Sequence, residues 1–275
     1  MIAGNGARDA RDLSKLRTTR LWVSADLENA DRNAFSRACD DIRIVSAGTD
    51  LRRQDTPNSD LHILLDGWAA RYKMMENGSR FIPALAVPGD VCDPDALRFD
   101  KLDYGVTMLS AGKVAVLSRQ RADELFASYP AIADAFCSLA LAECSILMEW
   151  SASIGRRPAL QRIAHLLCEL LLRLTAIGKA DAHSYDLPLT QVHFADTLGL
   201  TAVRVNRTLH SLRSREFVTV QSRRVTIHNW SGLSALCGFR PAYLHLETID
   251  DEFAPELPAT GALDKAKLAR DAGRH

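Results

Sequence analysis

The hydrophobic positions of this chain change period twice. Between residues 42 and 117 short apolar runs alternate with turn formers, as IRIVSAG, LHILLDGWAARYKMMENGSRFIPALAVPGD and YGVTMLSAGKVAVLS. Asn77-Gly78, between RYKMM and RFIPAL, is a hairpin signal because both residues tolerate positive φ, and Gly67, Gly89, Gly105 and Gly112 punctuate the rest. Short strands at this spacing predict a β-roll or jelly-roll-like barrel. The period then lengthens. A helical segment begins at residues 121–125, Pro130 marks a new helix start, and residues 131–154 contain no Pro or Gly. A helix of this length reaches ~35 Å.

That helix has two apolar faces. One carries Ile132, Phe136, Leu139, Ile146, Trp150 and Ile154; the other carries Cys137, Leu141, Cys144 and Met148, and Glu143 interrupts the pattern. One face suits the barrel and the other a partner helix, so a homodimer is expected, with Phe136, Leu139, Ile146 and Trp150 assigned to dimerisation. Gly155-Arg156-Arg157-Pro158 ends the helix, since Pro158 disfavours helical geometry at Arg157, and places a hinge there. A second amphipathic helix, ALQRIAHLLCELLLRLTA, ends at Gly178. Residues 191–198 then form a short helix with Phe194, Ala195 and Leu198 inward, and Gly199 is its positive-φ cap. Thr201 is the N-cap of the next helix, whose buried face takes Val203, Val205, Leu209 and Leu212. Two β-like runs, 217–220 and 225–227, joined by Gln221-Ser222-Arg223-Arg224, complete a winged helix-turn-helix.

Composition adds a constraint to this pattern. Lys+Arg and Asp+Glu cancel at 34 each, so nucleic-acid affinity has to come from local asymmetry. Residues 198–230 supply it: Arg204, Arg207, Arg213, Arg215, Arg223 and Arg224 against Glu216 leave +5. Residues 247–258 carry five acids and no base. The amino terminus lacks the apolar core of a secretion signal, and no uninterrupted apolar run approaches a membrane span, so the expected location is cytoplasmic, with no membrane partner. Six scattered cysteines without CxxC pairs read as reduced thiols. No nucleophile-base pattern, phosphate loop or paired-carboxylate motif argues for an enzyme.

The outer face of the second helix-turn-helix helix presents Arg204, Asn206, Arg207, His210, Ser211 and Arg213. Arginine can donate two hydrogen bonds to guanine and asparagine can pair with adenine, while Thr201 or Thr208 can meet a phosphate or a thymine methyl. Phosphates are expected at the helix amino terminus and at Arg215, Arg223 and Arg224.

These residues resemble the Crp/Fnr family of bacterial transcription regulators over residues 42–244. The resemblance rests on GRRPALQRIAHLLCELLLRL at 155–174, LPLTQ at 187–191, and the pattern LADxLGLTxxxVNRTLxxLR, met at 194–213 with Phe194 in place of the usual Leu. LLDGWAARYK and PGD fall where the family's sensor half has them. The resemblance implies an α+β fold: a cyclic-nucleotide-binding-type β-roll, a long dimerisation helix and a carboxy-terminal winged helix. It also places Arg204 and Arg207 at base-reading positions, with Thr190, Gln191 and Thr201 near phosphates.

The sensor half departs from the family. Its cyclic-nucleotide binders use a Gly-Glu pair, an acidic-aliphatic segment and an Arg-Ser or Arg-Thr pair. This chain offers Gly89-Asp90, then VCDPDALRFDKLDYGVTML, with Asp103 and Tyr104 near the expected arginine. Five aspartates between 90 and 103 against Arg98 and Lys101 would repel a phosphodiester. An iron–sulfur cluster needs clustered cysteines near the amino terminus, where only Cys39 lies, and no residue is singled out for haem. No cofactor is expected, the effector is unknown, and a ligand-independent regulator becomes the better account if Trp68, Tyr72 or Phe81 fill the roll pocket. His165, Cys168 and Glu169 share a helix at metal-ligand spacing but are read as packing residues; His62, His183, His193 and His228 are read as surface or satisfied polar groups.

The expected division is an amino-terminal extension (1–30), a sensor roll (31–130), a dimerisation helix (131–155), a winged helix-turn-helix (156–246) and an acidic flexible tail (247–275). The expected function is a sequence-specific dimeric DNA-binding transcription regulator that reads an inverted repeat and contacts RNA polymerase. A ligand-binding signalling protein using its winged helix as a protein-contact platform is the alternative.

Overall fold

The computed structural model describes residues 27–57 and 60–246; the expected tail and nearly all of the expected amino-terminal extension lie outside them. Helix α1 (Asn29–Ala38) precedes seven strands: β1 (Asp41–Val45), β2 (Asp50–Arg52), β3 (Asp60–Asp66), β4 (Ala69–Met74), β5 (Arg80–Ala86), β6 (Gly105–Met108) and β7 (Gly112–Ser118). They form two antiparallel sheets, β1-β7-β3 and β2-β6-β4-β5, that pack as the expected roll. The Asn77-Gly78 turn is present, with Gly78 at φ 78° and the Ser79 amide donating to Asn77 Oδ1 at 3.0 Å. Gly67 is needed where two turns cross: a Cβ there would stand 2.7 Å from the Ala111 carbonyl oxygen.

Helix α2 (Arg119–Ser128) leads to α3 (Pro130–Arg156), and Arg157 is extended at ψ 139°, as the following proline demands. Helix α4 (Ala159–Ala176) follows, then the hairpin β8 (Ala180–Asp181) and β9 (Ser184–Asp186), α5 (Gln191–Leu198), α6 (Ala202–Ser214), β10 (Val218–Gln221), β11 (Arg224–Ile227) and α7 (Trp230–Cys237). A 3₁₀ turn at Pro241–Leu244 returns the chain toward α3. The wing is larger than the sequence pattern suggests, because β8 and β9 extend it to the four-stranded order β10-β11-β9-β8.

Two cores result. One fills the roll, around Phe35, Leu61, Ile63, Val106, Met108, Leu117, Ile132 and Phe136. The other joins the outer face of β4 and β5, through Trp68, Tyr72, Ile82 and Leu85, to α4 and the helix-turn-helix, and includes Ile146 and Trp150. Residues 163–174 of α4 are buried all round, so this helix is a central element rather than the expected amphipathic one.

The face of α3 assigned to dimerisation is corrected by this packing. Phe136, Ile146 and Trp150 are buried inside their own chain and Leu139 is half-buried against the roll core. The other face stands out, with Leu141 at 64% and Met148 at 69% exposed beside the exposed Cys137 and Cys144. Glu143 does not interrupt that face; it turns inward to Arg71 at 3.3 Å. A second correction concerns length: by length and composition alone α3 is long and apolar enough to cross a membrane. Its inward face nonetheless carries two polar anchors held by the chain itself, Glu143 on Arg71 and Trp150, whose indole N–H donates to Glu169 at 2.8 Å.

A buried charge network ties these parts together. Arg173 on α4 donates to Asp90 at 2.7 Å, to the Leu85 carbonyl at 2.9 Å and to Glu169 at 3.3 Å. Glu169 also accepts from Trp150 and, at 2.8 Å, from the Tyr243 hydroxyl. Burial pushes the Glu169 carboxyl up against the opposing pull of Arg173; burial would lower Arg173, but Asp90 and Glu169 raise it overall. Near the hinge, Glu149 on α3 holds Arg157 at 2.6 Å, and His165 Nε2 lies 3.1 Å from the same carboxylate without a hydrogen bond to it. The His165 ring packs in a cluster with Phe239 and Tyr243, and burial, then Arg157, lower its pKa to about 3.

Two outcomes follow from this wiring. Arg173→Ala leaves two carboxylates buried without their cation and should cost ~3–5 kcal/mol, read as a lowered urea midpoint at pH 7. His165 stays neutral in the fold while the unfolded imidazole, with a pKa of ~6.5, takes a proton. Its contribution is therefore full above ~6.5 and is lost as pH falls toward 3, by up to ~1.4 kcal/mol per pH unit. Urea unfolding at pH 7 and pH 5 should show a smaller drop in His165→Gln than in the parent chain.

Candidate nucleic-acid interface

The second helix of the helix-turn-helix, α6, is set by local chemistry at each end of the turn before it. Thr190 caps α5: its hydroxyl oxygen accepts from the His193 amide at 3.2 Å, and His193 Nδ1 accepts from the Thr190 amide at 3.3 Å. Gly199 ends α5 at φ 60°, ψ 44°, a conformation that glycine reaches without strain. Two residues later the Thr201 hydroxyl oxygen accepts from the Arg204 amide at 3.2 Å and starts α6. Val205, Thr208 and Leu212 bury the inner face of α6, and Phe194, Ala195 and Leu198 that of α5.

Thr190, Gln191, Thr201, Arg204, Asn206, Arg207, His210, Arg213, Arg223 and Arg224 are all exposed. The structure brings Arg204, Asn206, Arg207, His210 and Arg213 together on the outer surface of one helix, with Thr190, Gln191 and Thr201 at the helix starts. Among the described residues, Arg204, Arg207, Arg213, Arg215 and Arg223 have no carboxylate partner in ion-pair range. An unpaired cationic face of this kind attracts polyanions.

Three positions differ from the sequence expectation. Thr208 is buried and out of reach of DNA, whereas Val203, expected inside, is 63% exposed at the first turn of α6. Arg224 is held by Asp181 at 2.9 Å and Asp186 at 3.0 Å across the wing sheet. Such exposed pairs are weak and salt-screened, so a phosphate would compete for Arg224 rather than find it free. Ser222 and Arg223 at the wing tip both have positive φ, as a two-residue I′ hairpin requires. They border a cleft of about 430 Å³ between wing and roll, beside the Lys179–Asp66 pair at 3.3 Å.

The roll side of the molecule bears on how the interface is held. Arg80 at the start of β5 donates to Asp196 of α5 at 2.8 Å, and Arg162 of α4 donates to the Leu198 carbonyl at 2.9 Å and the Arg157 carbonyl at 2.8 Å. In the roll interior, side chains alternate along β4 as a strand requires, so Tyr72 packs outward toward α4 and Arg71 points inward. Arg71 donates to the Cys92 and Val91 carbonyls at 2.7 and 3.2 Å, pairs with Glu143, and lies 5.8 Å from the Tyr104 ring centre. Burial opposes its charge, and Glu143 with Tyr104 outweighs that, so its pKa is raised. The space left beside it, bordered by Asp90, Pro94, Phe136 and Ala140, is about 20 Å³, room for about one water. Trp68 and Tyr72, whose place inside the roll would have favoured a ligand-independent regulator, belong to the outer core instead.

Of the five aspartates that the sequence reading weighed as repulsive, Asp90 and Asp93 are buried counterions, while Asp100 and Asp103 form ion pairs at the surface. Asp93, fully buried, takes two bonds from Arg52 at 2.9 and 3.0 Å, the His62 amide at 2.8 Å and His62 Nδ1 at 2.7 Å. Burial would raise its pKa, and His62 followed by Arg52 brings it below the usual carboxylate range. Asp90 serves Arg173, Asp100 serves Arg119 and Asp103 serves Lys73. His62, read as a surface or satisfied histidine, is of the satisfied kind. His165, Cys168 and Glu169 do not converge; among the described residues no three metal-ligating side chains do. Sequence reasoning missed Arg52, Arg71 and Arg173; the only available signal was an arginine inside an otherwise apolar run, as in LLLRL.

A family model described as a Crp-like helix-turn-helix domain matches residues 161–236. The transcriptional activator protein FnrL of Cereibacter sphaeroides is 26% identical over 60% of this chain and 66% of its own length, just under two thirds of that relative. The nitrogen fixation regulation protein FixK of Azorhizobium caulinodans is 24% identical over 70% of this chain and 77% of its own. Among solved structures, FixK2 from Bradyrhizobium japonicum superposes with a TM-score of 0.64 at 22% identity, covering 71% of this chain and 96% of that one. The c-di-GMP responsive global regulator CLP of Xanthomonas campestris does so with 0.61 at 15%, covering 74% and 100%. The match makes residues 161–236 a Crp-like helix-turn-helix domain, and the order of roll, long helix and capped helix-turn-helix is similar to that of Crp/Fnr-type regulators.

Proposed function

We propose that the protein is a homodimer that binds an inverted repeat in double-stranded DNA, with α6 of each copy in successive major grooves about one helical turn, ~34 Å, apart. The observation that carries this reading is the row of arginines without carboxylate partners on the outer face of α6, a helix whose start, like that of α5, is capped by a threonine side chain. In this proposal Arg204 and Arg207 read bases, Asn206, His210 and Arg213 support them, and Thr190, Gln191, Thr201, Arg223 and Arg224 meet phosphates. The partner helix packs on the face of α3 that carries Cys137, Leu141, Cys144 and Met148. The five-part division of the chain expected from sequence is retained as the working one, with a cytoplasmic location and contact with RNA polymerase as further parts of the same reading.

The sensor half acts without a cyclic nucleotide. Arg71 and Glu143 occupy the interior between roll and α3, and Asp93 is already saturated by Arg52 and His62, so a phosphodiester would have to displace an internal ion pair. Binding of such a ligand is therefore opposed both by volume and by charge.

Selection from random DNA should return a palindrome, and Arg207→Ala should reduce specific binding by ~10–100-fold while leaving non-specific binding nearly unchanged. Affinity for the selected site should fall steeply with salt, since phosphates are neutralised by arginine; a flat response would favour the protein-platform alternative. Cyclic AMP or cyclic di-GMP at millimolar concentration should shift neither the thermal midpoint nor the DNA titration of the purified protein.

A further inference from the structure

The exposed face of α3 carries more than apolar side chains. Cys137, Leu141, Cys144, Met148, Ser151 and Gly155 follow one another at steps of four, three, four, three and four, and all are exposed. That alternation is a heptad seam, the spacing at which two helices pack along a common stripe. Cys137 and Cys144 hold the same heptad position, and the narrow residues Ser151 and Gly155 let the helices approach at the hinge end. Seven residues separate the two thiols, ~10.5 Å along the axis, so they cannot bond to each other within one chain. The remaining cysteines are less available. Cys92, Cys168 and Cys237 are buried, and burial together with Asp40 pushes the half-buried Cys39 up to about 12.

We propose that Cys137 and Cys144 form an oxidation site shared by two copies of the chain, in which each thiol closes a disulfide with its own counterpart across the two-fold axis. This rests on the dimer reading above. In a parallel pair, helix axes ~8–10 Å apart with Cα atoms ~2.3 Å from each axis leave ~3.4–5.4 Å between facing Cα atoms. That range overlaps the 4.4–6.8 Å that disulfides use. The oxidant is a hydroperoxide. One thiolate attacks the peroxide oxygen, giving a sulfenic acid and hydroxide; the partner's thiolate then attacks the sulfenic sulfur, forming S–S and releasing a second hydroxide. Two thiols lose two electrons and their protons, and hydrogen peroxide becomes two waters. The bond makes the dimer covalent, so DNA binding ceases to depend on dilution. In a reducing compartment it is transient, as redox-sensing disulfides are.

The full-length chain, reduced, desalted and treated with hydrogen peroxide at about one equivalent, is run on a non-reducing denaturing gel and peptide-mapped. A covalent dimer is expected, reversed by dithiothreitol, absent in the Cys137→Ser, Cys144→Ser double variant and retained in Cys39→Ser. The map should contain Cys137–Cys137 and Cys144–Cys144 peptides. Mixed Cys137–Cys144 peptides alone would mean antiparallel helices, and a Cys168–Cys237 product without covalent dimer would place the oxidation in the DNA-binding core; either overturns the proposal. Sedimentation under reductant separates the two failures. A dimer there without cross-linking sinks the disulfide alone, and a monomer sinks the dimer reading as well.

Discussion

Arg173 is the residue on which the arrangement of the two halves depends. Its guanidinium sits fully buried on α4, yet it reaches Asp90 and the Leu85 carbonyl of the sensor roll and Glu169 of its own helix. Glu169 in turn binds Trp150 of the long helix and Tyr243 near the end of the described chain. A charge taken out of water in this way is tolerated only with its partners in place, so every element that contributes one is held in a single position. Roll, long helix and DNA-binding half are thereby tied through one buried cation, and a movement of any of them alone leaves an unpaired charge.

The interior of the roll follows the same rule in another place. Where a cyclic-nucleotide binder needs an open, cationic space, this chain has closed ion clusters: Arg52, Asp93 and His62 in one, Arg71 and Glu143 in the other. The second reaches from the roll to α3. That link is built from side chains and rests on burial and hydrogen bonding.

The outer surface of the helix-turn-helix is organised differently. Its arginines have no partners among the described residues, its threonines are engaged as caps, and only Arg224 is already paired. Local rules suffice to build it. A glycine at positive φ, two threonine N-caps and a spacing of apolar residues set the turn and the exposed face within about twenty-five residues.

That locality explains what could be read without coordinates. The hairpin at Asn77-Gly78, the helix break before Pro158, the bounds of α5 and the capped start of α6 all depend on neighbours in sequence, and residues 187–217 carry the whole motif. The two faces of α3 were also visible as two apolar stripes, but not which of them turns inward: Phe136, Ile146 and Trp150 against Cys137, Leu141, Cys144 and Met148 are equivalent by period alone. Tertiary contact decided it, because the roll and α4 cover the first set and Glu143 finds Arg71. Likewise, the aspartates of the sensor segment read as repulsive until Arg52, Arg119, Lys73 and Arg173 are seen beside them. Those partners come from 19 to 83 residues away, and pairing over such separations is decided by packing, which no local pattern encodes.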